Sequence, residues 1–394
     1  MRALCDALDR PQDRYRTLHV VGTNGKSSVA TMTAALLGAA GLQAGTCISP
    51  HVWRWAERTR IDGREVSPAA FAAAAATVAE AIARVEPELG GDRVTQFEAA
   101  IAVSFVAFAE AAVDVAVVEA GLGGRLDATN VIDSTATALT SVGLDHVEYL
   151  GPTERDIAGE KLAVLRPGTT LVTGALAPEI AALARQTAAE RECEMIVAEP
   201  LATAALPGSM APYLERNAAV AVALAAIVSG PLDDAAVAAA LAHAALPGRA
   251  ELLDGDPPVI ADAAHNEAGA RALAEALPTL APARPVCGCL SVLADKDAAA
   301  MAAALAPRLD RCVCTAADPG PAMGRPGAET LDAAELARLV AGVGVDAEAE
   351  PDPAAAVTRT LALAREMGGV ALFAGSHYLL RYLWTARHAQ SSSR

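Results

Sequence analysis

An α/β fold in two domains is what the sequence predicts, on three observations. From residue 14 to about residue 245, apolar strand-like runs alternate with Ala-rich helical runs, the pattern of a mostly parallel sheet covered by helices. The segment Ala244-Ala-Leu-Pro-Gly-Arg249 breaks the helical pattern and reads as a linker. After it the alternation restarts, and 394 residues is long for a single core. We therefore expect one domain over residues 1–246 and a second over 247–394.

In the first domain the expected strands are 17–21, 44–48, 113–119, 136–141 and 170–173. The helices between them are 29–40, 68–85, 96–111, 154–164 and 178–189. The first strand runs into Gly22, Thr23, Asn24, Gly25, Lys26, Ser27 and Ser28, and a helix follows. A strand, a glycine turn and a helix N-terminus make a phosphate cradle, with backbone N–H groups and the positive dipole end facing the anion. Lys26 would reach the β/γ-phosphates of ATP, with a hydroxyl of Ser27 or Ser28 near the metal. Only Thr23 and Asn24 separate Gly22 from Gly25, two residues fewer than the standard Walker spacing. The domain is thus P-loop-type. Beyond the linker, strands at 258–261, 285–292, 311–315, 343–348 and 370–374 predict a smaller Rossmann-like α/β domain. The tail at 391–394 is expected to lack structure.

Of the 31 basic residues only Lys26, Lys161 and Lys296 are lysine. Where arginine serves as the general surface cation, a retained lysine points to a compact charge or a reactive amine. The net charge of −16 argues against nucleic acid or an anionic membrane as partner. An anionic substrate would need local arginines and metal ions. Residues 217–229, the longest apolar run, are too few to span a bilayer. The opening residues carry acids where a signal peptide has none, so the cytoplasm is the expected compartment. Seven scattered cysteines make no disulfide framework. Cys287-Gly-Cys289 and Cys312-Val-Cys314 admit zinc, or simply the buried face of two strands.

Chemistry gathers at the strand ends. Ser49-Pro-His51 follows the second strand, and Trp53-Arg-Trp-Ala-Glu-Arg-Thr-Arg60 could clamp an aromatic acid by stacking and bidentate pairing, with Arg58 among its cations. Glu119 closes a strongly apolar strand, which is costly unless it meets a cation or hydrogen-bond donors. Magnesium, which takes few protein carboxylates, suits it; a buried pairing with arginine is the alternative. Asp127 lies in the polar loop that follows, and Asp145-His146 closes the next apolar run. Lys161, shielded near a metal, could be neutral and add CO₂, giving a carbamate. In the second domain Arg249, Asp262, His265, Lys296 and Ser376 all follow the linker or a strand; a solvated turn is the alternative for each.

Taken together, Val21-Gly-Thr-Asn-Gly-Lys-Ser-Ser28, Ser49-Pro-His51, Glu119-Ala-Gly-Leu-Gly-Gly-Arg-Leu-Asp-Ala-Thr-Asn130, Leu144-Asp-His146, Glu160-Lys161, Pro247-Gly-Arg249, Asp262-Ala-Ala-His-Asn266 and Leu293-Ala-Asp-Lys-Asp297 resemble the folylpolyglutamate synthase/dihydrofolate synthase family of the Mur ligase superfamily. The resemblance covers about residues 16–380. It implies an ATP- and Mg²⁺-dependent amide ligase acting on a folate or pteroate acid and L-glutamate, and a monomer. By that analogy Ser49, Glu119 and His146 hold one magnesium, and carbamylated Lys161 helps hold a second. Asn217, Arg249 and Asp262 contact ATP, with His265 closing over it. His51, Arg58 and Asp127 face the pteroate side, and glutamate lies near Lys296 or Ser376.

Three departures bear on the acid while leaving the ATP chemistry intact. The sequence opens close to the phosphate loop, without most of the family's leading segment near the pteroate site. Ala56 stands where the family usually has Asn, and Ser27 replaces the usual Gly. Two rivals follow: a superfamily ligase for a non-folate acid, and a regulatory nucleotide-binding module. A dinucleotide oxidoreductase is disfavoured because no G-x-G-x-x-G follows the first strand.

Overall fold

The computed structural model describes residues 1–207, 210–318 and 328–391. The chain divides into two compact units, Met1–Gly208 with Leu214–Ala245 and Ser209–Tyr213 with Leu246–Arg394.

The first unit opens with α1 (Arg2–Ala7), β1 (Arg16–Val21) and α2 (Lys26–Ala39). Then come β2 (Ala44–Cys47), β3 (Thr59–Ile61), β4 (Arg64–Glu65), α3 (Pro68–Val85), α4 (Gln96–Glu110) and β5 (Val115–Glu119). They are followed by β6 (Ala136–Leu139), α5 (Val147–Leu150), α6 (Glu154–Leu162), β7 (Thr170–Thr173), α7 (Pro178–Glu190) and β8 (Glu194–Val197). Helix α8 (Pro212–Ser229), which belongs to it from Leu214 on, and α9 (Asp234–His243) end it. The sheet order is β4-β3-β2-β5-β1-β6-β7-β8, parallel from β2 to β8 with an antiparallel β3–β4 edge. Central strands β5 and β6 are buried along their whole length, which is why they read as continuous apolar runs.

Three features differ from the sequence-based expectation. Helix α2 begins at Lys26, not residue 29, because the polar Lys-Ser-Ser of the phosphate loop forms its first turn. The arginine-rich stretch 53–60, outside every expected strand and helix, contains a 3₁₀ turn, Trp55–Arg58, and enters β3. Strand β8 (Glu-Met-Ile-Val), outside the expected strands, sits half-exposed at the sheet edge and is only four residues long. Helix α3 is apolar and long enough to cross a membrane by composition. Its Ala74, Val78 and Ala81 nonetheless pack in one core with Ala102, Val103 and Val106 of α4.

The second unit carries β9 (Glu251–Leu253), β10 (Val259–Ala261), α10 (Glu267–Leu280), β11 (Val286–Leu290), α11 (Ala298–Leu305) and β12 (Arg311–Cys314). It continues through α12 (Ala333–Gly342), β13 (Asp346–Ala349), α13 (Pro353–Glu366), β14 (Val370–Ala374) and α14 (His377–Ser391). The order is β13-β12-β11-β14-β10-β9, parallel except for the edge strand β9. Strand β13 starts later than expected because Val343 caps α12 and Gly344 turns with φ +92°. Of the expected tail, 392–394 lie outside the described residues and Ser391 ends α14.

The cysteine pairs resolve as strand faces. Gly288 stands opposite Cys312 and Leu290 opposite Cys314, so Cys287 and Cys289 point to the other side of the sheet. All four are buried, and burial pushes the Cys287 thiol up to about 11. A four-thiol zinc site is geometrically barred.

Candidate active site

In the first unit the carboxyl ends of β1, β2, β5 and β6 lie along one sheet edge, where ligands bind in doubly wound folds. The phosphate loop spans β1 and α2. Gly22 has φ +154°, and a Cβ there would come within 1.9 Å of Thr140 Oγ1. Gly25 has φ +86°, and its Cβ would meet Asn217 Oδ1 at 2.6 Å, so Asn217 of α8 lies against the loop. Lys26 Nζ donates to the carbonyls of Gly22 and Thr23, both at 3.1 Å.

The loop is latched from the β6 side by residues the sequence did not single out. Asn24 O accepts from Thr140 Oγ1 at 2.6 Å and Ser141 Oγ at 2.9 Å. Thr23 N donates to Ser141 O at 2.9 Å, and Thr23 Oγ1 donates to Gly143 O at 3.1 Å. Two hydroxyls closing an apolar strand were the available signal.

Glu119 is buried, with 3% exposure, and accepts on both oxygens. Ser27 Oγ donates to Oε1 and Ser49 N donates to Oε2, each at 3.0 Å. Ser27 and Ser49 of the two neighbouring strand ends thus converge on it. His146, in a left-handed conformation, starts α5, and its Nε2 lies 3.8 Å from Asp145 Oδ1. Lys161, 4% exposed on α6, has its pKa lowered to about 7. Burial is the main cause, Lys26 adds repulsion, and Asp145 and Asp127 oppose both. Lys26, Asp127, Asp145 and Lys161 therefore share one electrostatic neighbourhood.

Asp127 holds its own loop together. Its carboxylate accepts from Leu122 N at 2.8 Å, Thr129 N at 2.9 Å and Thr129 Oγ1 at 2.5 Å. Around Ser49, the buried His51 accepts at Nδ1 from Arg58 Nε at 2.9 Å, while the Arg58 guanidinium lies 4.6 Å from the Trp55 ring centre. Burial, then Arg58, lowers the His51 pKa to about 4. Glu57 anchors this turn by accepting from the backbone N–H groups of Val52, Trp53 and Arg54.

In the second unit, Asp262 and His265 follow β10 and Ser376 follows its parallel neighbour β14. Asp262 is buried and accepts from Ala250 N and Ala264 N, each at 2.8 Å, and from the Tyr213 hydroxyl, a partner absent from the sequence-based set. An Arg249 NH2 group lies 3.5 Å from His377 Nε2, and the His265 and His377 rings are 6.0 Å apart. Ser376 Oγ accepts from Tyr378 N at 3.1 Å. Lys296, with a side chain 7% exposed, follows β11 and pairs with Asp295 at 3.7 Å.

These features define an α/β protein with a glycine turn between its first strand and the following helix, and residues 248–377 match the family described as Mur ligase, glutamate ligase domain. A dihydrofolate synthase/folylpolyglutamate synthase of Mycobacterium tuberculosis is 37% identical over 353 residues, covering 79% of this chain and 72% of the relative. A folylpolyglutamate synthase of Lacticaseibacillus casei is 34% identical, covering 76% of each. A solved Mycobacterium tuberculosis folylpolyglutamate synthase complexed with ADP superposes with TM-score 0.88 at 32% identity, over 98% of this chain and 93% of that one. E. coli FolC in complex with DHPP and ADP gives 0.82 at 26% identity, over 99% and 93%. The chain belongs to the folylpolyglutamate synthase/dihydrofolate synthase family.

Proposed function

We propose that the chain is an ATP-dependent ligase joining L-glutamate to the carboxylate of a dihydropteroate or folate through an acyl phosphate. Family membership supports the reaction class, and one local observation carries the site. Buried Glu119, at the end of β5, accepts from Ser27 Oγ in the first turn of α2 and from Ser49 N after β2, which brings a carboxylate and two serines to the glycine loop. Residues 1–246 act as the ATP-binding domain and 247–394 as the glutamate-ligase domain.

The donor set fits magnesium. Carboxylate and hydroxyl oxygens are hard ligands, and a magnesium site uses few protein carboxylates, with phosphate oxygens and water completing the shell. Ser49, Glu119 and His146 would hold one Mg²⁺, and Lys161, as a carbamate, a second. Bound there, magnesium supplies charge neutralisation of the triphosphate. A lysine amine with a pKa near 7 is largely neutral in mildly alkaline solution, the form that adds CO₂.

Gly22–Ser28 backbone groups and the α2 N-terminus cradle the phosphates, and Lys26 turns from the loop carbonyls to the γ-phosphoryl group. Asn217, Arg249, Asp262 and His265 contact the nucleotide. His51, Arg58 and Asp127 face the acid, and Lys296 and Ser376 the incoming glutamate. The γ-phosphoryl group passes to an oxygen of the acid carboxylate, releasing ADP. The glutamate amine attacks the acyl carbon, loses a proton, and inorganic phosphate leaves from the tetrahedral intermediate. Positioning and charge neutralisation carry the rate.

The test is ADP formation with L-glutamate and, in turn, dihydropteroate, tetrahydrofolate and unrelated acids. Turnover confined to the pteroate-bearing acids is expected. ATP binding without acid-dependent phosphate release contradicts the proposal.

A further inference from the structure

His19 sits inside β1, opposite Val118 on one side and Thr137 on the other, where a doubly covered parallel sheet ordinarily holds an aliphatic residue. It is fully buried, and its Nε2 lies 2.8 Å from Thr129 Oγ1. The Thr129 hydroxyl has one proton, which goes to Asp127 Oδ1 at 2.5 Å. It can therefore only accept from the imidazole, so Nε2 carries the hydrogen. Nδ1 is buried without a hydrogen-bond partner. An unpaired acceptor is tolerated more readily than an unpaired N–H donor, so this position selects the same tautomer.

We propose that His19 is a positioning residue which, through Thr129, fixes the Asp127 carboxylate and with it the glycine loop that follows Glu119. The hydrogen bonds run in one sense, from His19 to Thr129 to Asp127, whose second oxygen accepts from Leu122 N. That loop in turn bears on the helix carrying Lys161: a Cβ on Gly124 would meet Glu160 O at 2.6 Å and Lys161 O at 3.0 Å. Arg125 N also donates to Glu160 O at 3.0 Å. The relay thus sets the spacing between the Glu119 strand end and the Lys161 helix. Burial lowers the His19 pKa to about 3, in keeping with a ring that stays neutral.

The activity readout rests on the ligase reading; a second readout does not. In ¹⁵N-histidine NMR of the intact chain, with the signal assigned through His19→Gln, His19 is expected as the neutral Nε2–H tautomer from about pH 5 to about pH 8. In turnover, His19→Leu and Thr129→Val should each lower kcat about tenfold to a hundredfold, with the ADP Kd unchanged within about twofold. Because the groups act in series, the double variant should be no worse than either single one. His19→Gln, which returns a donor, and Thr129→Ser, which returns the hydroxyl, should restore kcat to within about threefold. An Nδ1–H tautomer, multiplicative losses in the double variant, unchanged kcat, or failure of both conservative variants would overturn the proposal. Absence of acid-dependent turnover in the unmodified chain refutes the ligase reading, and the tautomer then decides the relay by itself.

Discussion

Ser27 and Glu119 stand 92 residues apart in the chain, and the serine hydroxyl donates to the glutamate Oε1 at 3.0 Å. The first turn of the phosphate-loop helix is thereby tied to the tip of the neighbouring strand. A carboxylate so deeply buried is costly to desolvate, and its hydrogen bonds to Ser27 Oγ and Ser49 N offset part of that cost. Glu119→Gln, of the same shape and without the charge, should lower acid-dependent turnover at least about a hundredfold and move its Mg²⁺ dependence to higher concentration. A magnesium titration of kcat, with ADP affinity by calorimetry alongside, checks this.

Lys161 gives the pH dependence. Its amine is protonated up to about 10.5 in the unfolded chain and up to about 7 in the folded one. Between those values the folded state binds fewer protons, so stability rises with pH across that window. Lys161→Met should abolish the rise, as urea unfolding near pH 7 and near pH 9 would show. Carbamylation needs the neutral amine, so turnover should climb through about pH 7 and fall when CO₂ is stripped from the buffer. Lys161→Arg should be inactive at every pH while still binding ADP.

Gly22→Ala tests the phosphate loop. Its Cβ would collide with Thr140 Oγ1, which also donates to Asn24 O. We expect a loss of about 1–3 kcal/mol in stability and at least about tenfold weaker ADP binding. Urea unfolding and calorimetry measure the two effects.

Asp262→Ala would strand three donors in the second unit, the N–H groups of Ala250 and Ala264 and the Tyr213 hydroxyl. A cost of about 2–4 kcal/mol is expected. Tyr213→Phe removes one donor together with its need and should cost about 1 kcal/mol. Denaturant unfolding followed by circular dichroism distinguishes them.

Six of the seven cysteines are buried and Cys193 is half-buried. A thiol reagent should therefore label Cys193 fastest in the native protein and all seven after denaturation, as intact-mass spectrometry would show.

How far these features were legible in the sequence follows from burial. Val115–Glu119 lies between neighbouring strands, so its apolar run Val115–Val118 announced it and Glu119 stood out at its end; Thr170–Thr173, also between strands, showed a buried Leu-Val pair flanked by β-branched threonines. Arg64–Glu65 and Glu194–Val197 are the two edge strands and Thr59–Ile61 pairs with the first of them; all three are short and largely half-exposed or exposed, so none makes a buried run that the sequence announces. The convergence of Ser27, Ser49 and Glu119 follows from the parallel register of three strands, which the order of motifs already suggested. Thr140, Ser141, Thr129 and His19 were missed because their roles are pairwise and long-range: each is an ordinary polar residue until its partner more than a hundred positions away is known. Asp127 was legible as a functional carboxylate, but not as the clasp of its own loop.

The central claim is that an acid carboxylate is activated as an acyl phosphate before glutamate attacks it. The direct measurement is oxygen transfer: dihydropteroate labelled with ¹⁸O in its carboxylate is incubated with ATP, Mg²⁺, L-glutamate and the protein, and the released phosphate is analysed by mass. One ¹⁸O in each phosphate, in step with amide formed, is the predicted result. Unlabelled phosphate, or ADP release that proceeds equally without the acid, would contradict the account.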